Sequence, residues 1–175
     1  MLRTLFKLVF PCFLLISGIA HAGIVIESTR YLYKEGSREV TAQIENKDGI
    51  PYLIKSWIET PKGQTPSFMA TPPLFRLEAK QQNTVRLFST GNVAVPTDRE
   101  SMFYFNVMAI PTGKVGEADT GNSLGGTLQV ATGNTVKLFY RPDNLPMTQK
   151  EAMGKLEFTR AGNSVKVFNP TPYYI

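Results

Sequence analysis

Two long apolar runs dominate the hydrophobic pattern of this chain. Residues 102–110 read MFYFNVMAI, and residues 128–140 read LQVATGNTVKLFY. In the second run Leu128 and Val130 stand two positions apart, and side chains at every second position of a strand lie on one face. A strand of this kind at a sheet edge presents apolar side chains together with unpaired backbone groups, so another chain can pair with it. We interpret the second run as a binding strand.

The rest of the chain has the pattern of an all-β fold. Turn residues recur about every ten positions, a spacing typical of a β-sandwich. No segment has a convincing helical period, and the proline-rich segment 61–73 is excluded from a central strand because proline lacks a ladder donor. Further short strands are predicted at 24–26 (running toward Arg30), 39–45, 52–60, 75–77 and 84–88.

Together these segments amount to about seven strands, which predicts one immunoglobulin-like β-sandwich over residues 23–142. Trp57 stands on what would be the third strand, where such sandwiches bury a tryptophan. The alternative is that any β core would bury its single tryptophan. Both interpretations predict a buried Trp57.

The first 22 residues have the pattern of a secretory signal peptide. Arg3 and Lys7 supply a basic start, residues 8–19 an apolar stretch, and residues 20–22 (AHA) a small-residue cleavage site before Gly23. The apolar stretch is short for a bilayer span, so no membrane insertion is predicted. We therefore expect an exported protein whose mature chain begins at Gly23.

A change of character after Pro142 indicates a second domain. Residues 143–148 are predicted to be a linker, and residues 155–159 and 165–168 a hairpin. Because two or three strands cannot bury a core of their own, we expect residues 149–175 to be the beginning of a second, incomplete β-sandwich in a C-terminally truncated chain.

Composition narrows the possible chemistry. The only cysteine, Cys12, and the only histidine, His21, both lie in the predicted signal peptide, which also removes two of the 19 basic residues. The mature chain then has 17 basic and 14 acidic residues, too mild and too dispersed an excess for nucleic-acid binding. Without imidazole, thiol or a phosphate-binding glycine loop, we predict no enzyme, no catalytic residue, no metal site and no cofactor.

Six segments of the chain resemble one protein family, the periplasmic pilus-assembly chaperones of the chaperone–usher pathway (the PapD-like family). In order along the chain, the segments are 29–30 (TR), 51–58 (PYLIKSWI), 70–78 (ATPPLFRLE), 98–106 (DRESMFYFN), 137–142 (KLFYRP) and 169–174 (NPTPYY). The resemblance implies a periplasmic protein that binds pilus subunits and delivers them to an outer-membrane usher.

The resemblance assigns Arg30 and Lys137 to a cleft that holds the C-terminal carboxylate of a subunit. A carboxylate offers two acceptors to charged donors, and such hydrogen bonds are stronger than neutral ones. The alternative is that Arg30 and Lys137 are solvated strand charges.

The resemblance also assigns Leu128, Val130 and Thr132 to a strand donated to the subunit. Burial of a large aliphatic side chain stabilises by roughly 1.5–3 kcal/mol. Thr132 stands where a third large apolar residue would be expected. We therefore expect binding of the subunit to depend on Leu128 and Val130. The alternative is that these two side chains pack in the protein's own core.

Glu100 and Arg141 match members of an interdomain ion-pair network in the same family. If exposed, this pair would contribute only ~0–1 kcal/mol. The resemblance also implies a branch, because the family divides by the length of the loop at 111–127 and its long-loop branch carries a cysteine pair. The loop here is of short to intermediate length without that pair, so we expect the short-loop branch.

Two functions outside this prediction stay open from the sequence. The first is a secreted immunoglobulin-like adhesion or binding module, which should have aromatic residues clustered in loops. The second is a pilus subunit, which should lack a strand. An exposed apolar edge would also permit self-association through the donor strand.

Overall fold

The computed structural model describes residues 23–62, 67–91, 95–112 and 129–175, and these form eleven strands and one short helix. In chain order, the strands are β1 Ile24–Ile26, β2 Arg30–Lys34, β3 Val40–Asn46, β4 Tyr52–Glu59, β5 Phe68–Thr71, β6 Leu74–Leu77, β7 Gln82–Ser89, β8 Ser101–Pro111, β9 Thr132–Arg141, β10 Glu157–Ala161 and β11 Ser164–Phe168. The helix, α1, spans Gln149–Met153. None of the helices in these ranges is long and apolar enough to cross a membrane.

Nine of the strands form two facing sheets. The first has the order β1-β3-β7-β5 and the second the order β2-β9-β8-β4-β6. Neighbouring strands are antiparallel except for β2 and β9, which are parallel. The predicted all-β, immunoglobulin-like sandwich is confirmed.

The core between the sheets follows from strict alternation along the strands. In β4 the buried positions are Tyr52, Ile54, Ser56 and Ile58, while the residues between them face outward. Phe68 lies at the centre of an aromatic cluster. Its ring centroid is 5.0 Å from that of Tyr33, 4.8 Å from that of Phe103 and 6.0 Å from that of Tyr140.

The prediction that Trp57 is buried is wrong. Trp57 is only half-buried, and it lies on the outer face because its neighbours Ser56 and Ile58 occupy the inward positions. The buried Ser56 hydroxyl donates a hydrogen bond to Pro72 O at 2.8 Å, so its polar group has a partner in the core. The Trp57 ring instead lies under the ammonium of Lys55, 5.3 Å from the ring centroid.

The first predicted strand is divided between the two sheets. β1 pairs with β3, whereas β2, which begins only four residues later at Arg30, pairs with β9 in the opposite sheet. The proline-rich segment also contains a strand, β5, at the edge of the first sheet. An edge position is compatible with the flanking prolines because one side of β5 needs no ladder donors.

The C-terminal segment contains a helix that was not predicted. A five-residue helix is too short for a periodic pattern, but it begins with a capping box. Thr148 Oγ1 accepts from Glu151 N at 3.3 Å, and Glu151 Oε2 accepts from Thr148 N at 2.7 Å. The predicted hairpin is confirmed as β10 and β11, which pair in register from Glu157 opposite Phe168 to Ala161 opposite Ser164.

Three predictions fall wholly or mainly outside the described residues. These are the signal peptide at 1–22, most of the loop at 111–127, and the donor-strand position Leu128.

Candidate functional site

The outer edge of β9 is covered along only half of its length. β9 is ten residues long, and β2 pairs with its second half, from Arg30 opposite Lys137 to Lys34 opposite Arg141. In the part of the chain that the structure describes, no strand pairs with the same edge over residues 132–136. On the other side β8 pairs with β9 from Thr132 onward, so the first half is held in strand conformation with an open edge.

Arg30 and Lys137 lie at the end of this open edge. They are direct neighbours in the parallel register of β2 and β9, although they are far apart in sequence. Both side chains are exposed, because both belong to the outward set of their strands. Among the described residues neither side chain has an acidic partner within 4.0 Å. Two cations without a described acidic partner thus lie side by side at the point where β2 begins to cover the edge.

The candidate donor positions precede or begin β9. Thr132 is the first residue of the strand, pairs with Ala109 and is exposed. Val130 lies before the strand and is 60% exposed, so it does not pack in the protein's own core. Leu128 lies outside the described residues, and the donor-strand assignment of all three residues stays a prediction.

A polar network supports the open half of β9 from the outer face of the sheet. The Thr135 hydroxyl donates to Asn106 Oδ1 at 2.6 Å, and Asn106 Nδ2 donates to Glu59 Oε1 at 2.6 Å. Asn106 is only 4% exposed, so both of its polar atoms need these partners. Asn106 was not predicted to be a site residue, although one asparagine inside the apolar run 102–110 was a usable signal.

Glu100 and Arg141 form an ion pair that is buried rather than exposed. Arg141 Nε lies 2.6 Å from Glu100 Oε1, and the two side chains are 20% and 2% exposed. The expectation of ~0–1 kcal/mol assumed solvent around both groups and therefore does not apply here. The burial of this pair was not predicted from the sequence.

The same pair ties the sandwich to the C-terminal segment. Glu100 Oε2 accepts from Tyr174 N at 2.8 Å, and Glu100 N donates to Pro172 O at 2.8 Å. Arg141 donates to Gln149 Oε1 at 3.0 Å and lies over the ring of Tyr173, 5.0 Å from its centroid. These contacts hold residues 172–174 against the C-terminal end of β9, the part of β9 that β2 also covers.

A family model matches most of this chain. The model for the pili and flagellar-assembly chaperone, PapD N-terminal domain, matches residues 23–146. The chain belongs to this family. The family is one of assembly chaperones and not of enzymes, and the resemblance seen in the six sequence segments is confirmed.

Individual relatives agree with this assignment. The chaperone protein FocC of Escherichia coli is 42% identical over 158 residues, which cover 89% of this chain and 67% of FocC. The probable fimbrial chaperone YadV of Escherichia coli strain K12 is 40% identical over 169 residues, covering 91% of this chain and 68% of YadV. This chaperone chain therefore spans about two thirds of the length of these curated relatives.

Solved structures show the same fold. The YadV chaperone matches with a TM-score of 0.73 at 39% identity, covering 87% of this chain and 69% of that chain. A complex of the SafA pilin with the SafB chaperone from Salmonella enterica matches with a TM-score of 0.72 at 33% identity, covering 88% of this chain and 71% of that chain.

Proposed function

We propose that this chaperone works in the periplasm, where it captures pilus subunits by lending them the open edge of β9 and then delivers them to an outer-membrane usher. The observation that carries this proposal is the half-covered edge that ends at Arg30 and Lys137, two cations with no acidic partner among the described residues. Unpaired strand edges are otherwise blunted or covered in soluble proteins, so an open one supports a binding role.

The topology of the edge supports one direction for the captured strand. A guest strand beside residues 132–136 would lie in line with β2, which starts at Arg30. If the guest runs parallel to β9, as β2 does, its C-terminus meets the first residue of β2. Its terminal carboxylate would then lie between Arg30 and Lys137. An antiparallel guest would bring its N-terminal end there instead, where two cations repel an ammonium group.

The side chains before and at the start of β9 supply the apolar contacts in this proposal. Leu128 and Val130 fill apolar pockets of the subunit, and Thr132 fills a third pocket less well. Each large aliphatic side chain transferred from water contributes roughly 1.5–3 kcal/mol. The exposure of Val130 supports this role, because a side chain that is 60% exposed in the free protein has apolar area left to bury.

The domain arrangement is part of the proposal. Residues 1–22 are the leader, 23–142 the chaperone N-terminal sandwich, 143–148 a linker and 149–175 the beginning of a second sandwich. Glu100 and Arg141 fix the orientation between the two parts, for which their contacts with Tyr173 and Tyr174 are the support. We also propose that the protein belongs to the short-loop branch of the family and has no catalytic activity.

Co-purification with a pilus subunit tests the proposed function. We expect the wild-type protein, co-expressed in the periplasm with its cognate subunit, to yield a soluble complex, and Lys137→Ala to yield none. Lys55→Ala is the matched control, because Lys55 is another exposed lysine on the outer face of the same sheet, at a central strand. Equal recovery with Lys137→Ala and Lys55→Ala would remove Lys137 from the binding site.

A graded series at Val130 tests the donor strand separately. Val130→Ile keeps an apolar side chain and should retain the complex, whereas Val130→Glu should lose it because a carboxylate would enter an apolar pocket. Retention of the complex by Val130→Glu would contradict the donor-strand assignment.

A further inference from the structure

The turn after β3 holds a carboxylate without a cationic partner. Asp48 Oδ2 accepts from the Tyr52 hydroxyl at 2.6 Å. Within the described ranges, no Lys or Arg nitrogen lies within 4.0 Å of the Asp48 carboxylate. Lys47, the neighbour of Asp48 in sequence, pairs with Glu45 at 3.5 Å, and Lys80 donates to the backbone oxygen of Lys47. Among the described residues, the Asp48 carboxylate therefore has a neutral hydrogen-bond donor but no counter-charge.

Gly23 faces this carboxylate. A Cβ added at Gly23 would lie 2.7 Å from Asp48 Oδ2 and 3.3 Å from the Tyr52 hydroxyl, so a larger residue would push into the carboxylate. The Gly23 carbonyl accepts from Lys47 N at 2.8 Å, which holds this peptide against the turn. The Gly23 nitrogen itself has no hydrogen bond to any described residue. It is bonded to the same Cα as the added Cβ, which places it close to Asp48.

We propose that cleavage of the leader before Gly23 creates an α-ammonium group that forms an ion pair with Asp48 and anchors β1. Before cleavage, the Gly23 nitrogen is a neutral amide. Hydrolysis consumes one water, Ala22 departs with a carboxylate, and the freed amine of Gly23 takes up a proton at neutral pH. An opposite charge within about 4–6 Å favours the charged form of such a group. Processing therefore supplies the cation that the Asp48 site lacks.

The ion pair has a defined pH dependence. A free α-amino group has a pKa of about 7.7–8.0, and Asp48 raises the pKa of the Gly23 amine above this range. The charges of Lys47 and Lys80 oppose this rise. Tyr52 stays neutral throughout, because its hydrogen bond to Asp48 raises its pKa to about 12. The stabilisation is fully present below the unfolded pKa of the amine and is lost as the pH rises through the folded pKa.

The test uses the protein exported with its own leader and purified from the periplasm. Mass spectrometry establishes the first residue, and the pH dependence of α-amino labelling establishes the pKa of the amine. We expect a chain that begins at Gly23 and an α-amino pKa above the ordinary range. A rise of one pKa unit lowers the fraction of free amine, and so the labelling rate at neutral pH, about tenfold.

Two variants separate this proposal from a general effect of the fold. Asp48→Asn keeps an acceptor for Tyr52 but removes the charge, so the α-amino pKa should return to the ordinary range. Asp143→Asn changes an exposed aspartate after β9 and should leave the pKa unchanged. A different first residue, or the same α-amino pKa in the wild type and Asp48→Asn, would overturn the proposal. If Asp48→Asn does not fold, an ordinary pKa in the wild type alone overturns it.

Discussion

The buried ion pair between Glu100 and Arg141 gives the sharpest stability prediction. Glu100→Ala removes the acceptor of Arg141 Nε at 2.6 Å and that of Tyr174 N at 2.8 Å. It leaves the Arg141 guanidinium, which is only 20% exposed, without its carboxylate. Removing one partner of a buried pair typically costs about 3–5 kcal/mol because the other charge is left uncompensated.

The contacts that Arg141 keeps place the expected loss at the lower end of that range. The guanidinium retains Gln149 Oε1 at 3.0 Å and the face of the Tyr173 ring. We therefore expect Glu100→Ala to lower the free energy of unfolding by about 3 kcal/mol. For a chain of this size, that corresponds to a Tm lower by about 6–12 °C.

The chain offers a matched control with the same geometry and different exposure. Arg76 Nε and Glu78 Oε1 are also 2.6 Å apart, but their side chains are 58% and 49% exposed. Glu78→Ala should therefore cost less than about 1 kcal/mol. Urea denaturation of the wild type and both variants, followed by circular dichroism, measures the difference. Equal and small losses in the two variants would refute the argument that burial sets the strength of the Glu100 pair.

Three further predictions follow from the core, the turn and the edge. Phe68→Ala should lower the free energy of unfolding by about 3–5 kcal/mol in the same denaturation assay, because Phe68 is 1% exposed at the centre of the aromatic cluster. Spectrophotometric titration should show one tyrosine with a pKa of about 12, Tyr52, whose value falls toward 10.0 in Asp48→Asn. The folded pKa exceeds the unfolded one, so this stabilisation is present below pH 10 and lost as the pH rises through 12. Lys137→Ala should leave the Tm unchanged, since the side chain is exposed and has no acidic partner among the described residues.

The sandwich was predictable because its strands alternate clearly and its turns recur at short intervals. The errors arise where the alternation alone does not show which face of a strand is buried. Tyr52, Ile54 and Ile58 share one face of β4, so their spacing already placed Trp57 on the other face. The weight given to a lone tryptophan led to the wrong prediction. The division between β1 and β2 has no proline or glycine to mark it, since residues 27–29 read EST.

The geometry of the candidate site was not predictable from the sequence. Arg30 and Lys137 were named from sequence segments. Only the strand pairing shows that they are neighbours and that β2 begins to cover β9 at this point. The pairing of two distant segments cannot be predicted from the sequence of either segment alone. The environment of Glu100 is equally non-local, because its carboxylate accepts a hydrogen bond from the Tyr174 backbone, 74 residues later in the chain.

Hydrogen exchange of β9 tests the central claim most directly. Among the described residues, the amides of residues 137–141 that face away from β8 are covered by β2, whereas those of residues 132–136 that face away from β8 have no strand beside them. We expect fast exchange of these open amides in the free protein and strong protection when the subunit is bound, with little change at residues 137–141. Binding of the subunit without new protection at residues 132–136 would contradict the account, because the captured strand would then lie elsewhere.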